Sequence, residues 1–100
     1  MTTILPAAGC TTMTEVRAGV DAVDRQLVAL LADRFAYMDA AARIKPTRAA
    51  VRDEARKAAV IANVRAIAAA AGLPADAIAA LWDALVETSI AYELAAFDAR

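Results

Sequence analysis

The residues best equipped for chemistry are cations set among apolar neighbours. Arg34 lies between Asp33 and Phe35 inside the run 30–38, and Lys45 follows eleven residues later. Eleven residues advance a helix by about three full turns, so both project from one face, roughly 16 Å apart. Arg17 stands seventeen residues before Arg34, which on a helix is roughly 26 Å away and about 100° around the axis. Arg17 and Arg34 of one chain are therefore badly placed to grip one small ligand together. In an antiparallel pair of chains, Arg17 of one copy can meet Arg34 of the other. Ser89 and Glu93 are four residues apart and share a helical face, with Val86 and Ile90 supplying apolar surface beside them. The plain alternative is that Arg17, Arg34 and Lys45 are solvated or paired with carboxylates, as on most long helices. On that alternative Ser89 is a small packing residue and Glu93 a surface acid.

Other chemistry is harder to place. The chain has no histidine, which removes the commonest metal ligand and the commonest general base at neutral pH. Cys10 is the only cysteine, so neither an intrachain disulfide nor a cysteine-based zinc site can form. No metal and no cofactor is expected. The formal net charge is −1, which points to neither nucleic acid nor a membrane surface. No uncharged run of about 18 apolar residues occurs, so no spanning helix is expected. The lone thiol fits a reducing compartment, and a cytoplasmic protein is expected.

The elements that must carry these residues are helices. Apolar residues make up 61% of the chain, but 30 of its 100 residues are alanine. Alanine is the best helix former and a poor core filler. Three glycines, three prolines and 5% aromatics do not suit an all-β fold. Low net charge and high apolar content do not suit disorder. The expectation is one all-α domain at residues 14–100 behind a flexible tail at 1–13. Within that tail Ala7-Ala8-Gly9-Cys10 loosely resembles a lipoprotein cleavage box, but it lacks a basic start and an apolar core. Met13 is a second candidate start.

Three helices are predicted. The first covers about 14–44, with Val16, Val20, Val23, Leu27, Leu30, Leu31, Met38 and Ala41 spaced by threes and fours. Thr12 or Thr14 can cap it, and Pro46 ends it. The second covers about 52–71, with Val60, Ile61, Val64 and Ile67 inward and Gly72 just past its end. The third covers about 75–99, with Ile78, Leu81, Trp82, Leu85, Val86, Ile90, Leu94 and Phe97 inward and Pro74 at its start. The first helix is then roughly 45 Å long against roughly 30 and 37 Å for the others, whereas a compact chain of this size has a radius of gyration near ~13 Å. Two shorter helices cannot cover such a rod, so an intertwined homodimeric bundle is expected.

In order and spacing, several short stretches resemble the all-helical chorismate mutase family. They are Glu15-Val16-Arg17 with Val23-Asp24, the run 30–34, Ala41-Ala42-Arg43-Ile44-Lys45, Val51-Arg52-Asp53-Glu54-Ala55-Arg56, Ala71-Gly72-Leu73 and Ser89-Ile90-Ala91-Tyr92-Glu93. The pattern is most similar to the short-loop branch that includes isochorismate pyruvate lyase, and it covers about 14–97 without a long insertion. The resemblance implies an intertwined three-helix dimer with shared active sites and a small dianionic substrate, chorismate or isochorismate. Arg17 takes the place of the arginine that reaches into the partner's site, and Arg34 that of the second carboxylate-binding arginine. Lys45 matches the lysine on the ether oxygen and a carboxylate. Asp53 and Arg56 match positions at the mouth of the site, and Ser89 and Glu93 the final pair.

The implied reaction is the pericyclic rearrangement of chorismate to prephenate, which needs no nucleophile, metal or proton transfer. Lys45, Arg34 and Glu93 are its expected catalytic residues. Three departures bear on it. Glu93 stands where the family usually has glutamine, and it must be protonated to donate a hydrogen bond. Lys57 stands where many mutases have an acid. The prolines that the lyase branch tends to carry before Arg56 are missing, which favours mutase over lyase. A mutase for 4-amino-4-deoxychorismate and a non-catalytic helical dimerisation module are the other readings.

Overall fold

The start of the first helix is built from two side chains. In the computed structural model, which describes residues 4–100, the Thr12 hydroxyl accepts from the Glu15 amide at 3.2 Å, and Glu15 Oε1 accepts from the Thr12 amide at 3.0 Å. This reciprocal pair satisfies donors that a helix start leaves open. The Thr11 amide and the Thr12 hydroxyl also donate to Glu15, and these bonds hold its carboxyl below the usual carboxylate range. From here α1 runs Met13–Ile44. Pro46 cannot continue it.

A 3-10 turn at Arg48–Ala50 leads to α2, Glu54–Ala70. The sequence pattern had started this helix at Arg52. Asp53 is its N-cap instead, accepting from the Arg56 amide at 2.9 Å, so Arg52 lies outside. At its far end Gly72 has φ 74, a conformation that favours glycine. The Leu73 amide donates to the Ala68 carbonyl and the Gly72 amide to the Ala69 carbonyl, at 2.9 and 3.1 Å. That is the Schellman arrangement. α3 follows at Ala75–Asp98 with Pro74 as N-cap. Among the described residues there are three α-helices, two 3-10 turns and no strand. No helix among them is long and apolar enough to cross a membrane.

The chain divides into two units, Met1–Ala36 and Tyr37–Arg100. In the first, a 3-10 turn at Ala7–Gly9 precedes α1. Ile4, Pro6 and Cys10 of this segment and Val16, Val20 and Val23 of α1 together line a groove of ≈ 470 Å³. Of the expected tail at 1–13, residues 1–3 lie outside the described residues. The apolar stripe read from the sequence is largely uncovered in this chain: Val20, Val23, Leu27 and Leu30 are 50–63% exposed.

In the second unit α2 and α3 pack against each other, and α3 also touches the turn at Arg48–Ala50. The buried residues are small or medium: Ala42, Val51, Ala68, Ala79 and Val86, joined by Ser89 and Glu93. Two inward assignments are corrected. Ile67 and Leu81 are exposed. The inner line of α2 passes through Val60, Val64 and Ala68, and each step of four residues leaves Ile67 further off it. On α3 the inner line runs through Ala79, Trp82, Val86, Ser89 and Glu93, one residue aside from Leu81.

Candidate active site

α3 carries Ser89 and Glu93 one turn apart, and both are only 3% exposed. A buried carboxylate requires a partner. Glu93 meets the Lys45 ammonium, with Nζ 2.7 Å from Oε2. Lys45 follows the last residue of α1, its amide still bonded to the Ala41 carbonyl at 2.9 Å. Its ammonium also donates to the Val51 carbonyl at 3.4 Å. The Ser89 hydroxyl donates to the Leu85 carbonyl at 2.7 Å. Two residues 48 apart in sequence thus form one charged pair, its acid buried and its cation half-buried. Glu93 is not the surface acid of the plain alternative.

The other expected site residues take separate places. Asp53 spends its carboxylate on the N-terminus of α2. Arg56 is exposed in the first turn of that helix. Arg17 and Arg34 belong to the first unit. Both are on α1, where a separation of seventeen residues amounts to roughly 26 Å of rise. Arg34 is half-buried and Arg17 exposed.

Lys57 is engaged within the second unit, with Nζ 3.0 Å from both Asp83 and Glu87. Arg52 reaches Glu87 at 2.8 Å and Glu54 at 2.9 Å. Hydrogen bonds first from Arg52 and then from Lys57 lower the Glu87 carboxyl to about 2. The same contacts raise Lys57, through Asp83 before Glu87, and Arg52, through Glu87 before Glu54. Tyr92 bonds Asp39, which raises the phenol. Sequence reading missed this network, since the alternation of charges on α2 and α3 does not say which acids face which cations. It also missed the Val51 carbonyl, because a main-chain acceptor has no residue-type signal.

A half-buried cation against a buried acid, on a helix that also buries a small hydroxyl, suits recognition of a small polar molecule. The family model described as chorismate mutase type II matches residues 16–94. The chain belongs to the chorismate mutase type II family. The matched span holds Arg17, Arg34, Lys45, Asp53, Arg56, Ser89 and Glu93. Membership in the chorismate mutase family carries an isomerase function of that type and a chorismate-like substrate. No curated protein matches the chain.

Proposed function

We propose that the protein is a chorismate mutase that rearranges chorismate to prephenate, within a domain at 14–100 that follows the tail at 1–13. The observation that carries this reading is the pairing of half-buried Lys45 with buried Glu93 at 2.7 Å, inside a chain of this family. Chorismate is a dianion. Arg34, Lys45, Arg56 and a partner's arginine at position 17 offer charge-assisted bonds to its two carboxylates. The bonds that break and form do so within the substrate. The protein's task is to hold the enolpyruvyl arm over the ring and to stabilise negative charge at the ether oxygen. Lys45 supplies a cation there. Glu93, in its protonated form, supplies a hydrogen-bond donor. Ser89 closes the polar wall, and Asp53 orders the α2 start that presents Arg56.

The working unit is a homodimer with shared sites. Its support is the apolar stripe of α1 that one copy leaves exposed, together with the absence of any large, fully buried side chain among the described residues. The Arg17 guanidinium has no hydrogen-bond or ion-pair partner among the described residues, as suits a residue that serves a second copy. The lone thiol at Cys10 agrees with the cytoplasm.

The test is to incubate the purified protein separately with chorismate and isochorismate and to identify the products. Prephenate from chorismate supports the reading. Salicylate and pyruvate from isochorismate, with chorismate unchanged, would replace mutase by lyase. Turnover of neither, by a folded dimer, would leave the dimerisation module.

A further inference from the structure

Pro46 leaves a defect at the end of α1. In an unbroken helix the amide of residue 46 donates to the carbonyl of Ala42, but proline has no N–H. Ala42 is 2% exposed, so water has little access to the orphaned carbonyl, and buried carbonyls need donors. Arg100 supplies one. Its Nη1 donates to the Ala42 carbonyl at 3.2 Å and to the Lys45 carbonyl at 2.8 Å.

The guanidinium is itself held in place. It lies over the Phe97 ring, 3.7 Å from the centroid. Two residues earlier, Asp98 accepts from Arg48 at 3.0 Å, which ties this part of the chain to the turn after Lys45. A cation at a helix C-terminus also complements the helix dipole. Lys45 is thus held twice from one side of the fold. Glu93 takes its ammonium, and Arg100, seven residues further on, takes its main-chain carbonyl.

We propose that Arg100 is a positioning residue: it replaces the amide that Pro46 lacks and fixes the main chain at Lys45, so that the ammonium stands against Glu93. Its consequence for turnover rests on the reading of Lys45 as a substrate-binding group. Its consequence for the main chain does not.

The experiment compares the parent with Arg100→Ala, Pro46→Ala and the double variant, by amide hydrogen exchange and by steady-state kinetics. In Arg100→Ala the Lys45 amide is expected to exchange about tenfold faster, while amides in the middle of α2 and α3 keep their rates. Pro46→Ala returns an N–H to position 46, so the double variant should regain most of the protection. With chorismate, kcat should fall about ten- to a hundredfold in Arg100→Ala, KM should change much less, and the double variant should recover activity. Parent-like exchange at Lys45 in Arg100→Ala overturns the proposal. So does acceleration spread equally over all amides, or a double variant no better protected than Arg100→Ala. If the parent turns over neither chorismate nor isochorismate, the mutase reading fails, and the exchange rates alone still decide for or against Arg100.

Discussion

Val20, Val23, Leu27, Val28 and Leu30 of the first unit are each half exposed or more, whereas the second unit buries Val51, Val86, Ser89 and Glu93. Charges follow the same division. In the second unit Lys45, Arg48, Arg52, Lys57 and Arg65 all pair with carboxylates. In the first, Arg17 reaches no carboxylate among the described residues. The second unit pairs these five cations with its own carboxylates. The first unit presents an apolar stripe with a cation beside it, which is the equipment of a surface made to be covered. Exposed apolar area on this scale marks an interface more often than a free surface.

The sharpest way to break this comparison is at Lys45. Lys45→Ala leaves Glu93 buried without its cation, and kcat/KM for chorismate is expected to fall about a thousandfold, in the range of losing a main electrostatic group. Activity within a few fold of the parent in steady-state assays would remove the second unit from the chemistry.

Next comes the proposed dependence of the first unit on a second copy. Arg17→Ala and Arg34→Ala should each lose about a hundredfold or more in kcat/KM. Refolded together, the two inactive chains should regain one competent site per heterodimer. Light scattering should find a dimer, with more than about 2,000 Å² buried as in obligate interfaces. A stable monomer, or mixtures with no recovered activity, would show that the first unit's surface is not completed in this way.

Two substitutions probe Glu93. An amide keeps the shape of the acid and donates through its nitrogen. Glu93→Gln should keep kcat/KM for chorismate within about tenfold of the parent, whereas Glu93→Ala should lose about a hundredfold. Parent-like kcat/KM in Glu93→Ala would place Glu93 outside the reaction.

The smallest effect is expected at Glu87, whose side chain is 41% exposed. Its carboxyl is lowered from the ordinary 4.5 to about 2 by Arg52 and Lys57. A lowered folded value means that the stabilisation is complete above 4.5 and is lost as pH falls toward about 2. Solvent screening keeps it modest. Glu87→Gln should therefore lower Tm slightly at neutral pH and converge with the parent as acid is added. A constant gap between the two melting curves at every pH would deny the link.

Much of this architecture is legible in the residues. The three-and-four spacing from Val16 onward, the Thr12 and Glu15 start, Pro46 and Gly72 place α1 and the turn between α2 and α3 to within a residue or two. Asp53 was also readable as a cap, and the early start given to α2 came from continuing a helical pattern through it. Ser89 and Glu93 are visible as one helical face. Their burial is not, because periodicity locates a stripe without saying which polar residues join it. The meeting of Lys45 with Glu93 was implied only by the family resemblance, since a contact across 48 residues has no local signal. Arg100 had half a signal. Pro46 announces an orphaned carbonyl at Ala42, but nothing local says which donor reaches it.

The glycine turn between α2 and α3 has a consequence in time. Helices joined by four residues meet through contacts close in sequence, and such local topology closes early and fast, within about microseconds to milliseconds. That step is first order and indifferent to concentration. In the proposed dimer, covering the stripe of α1 with a second copy would be second order, so a newly made chain would wait for an encounter with its hairpin already formed. At high dilution the waiting species would carry a finished second unit and a bare rod, and the abundance of the protein itself would set how long that state lasts.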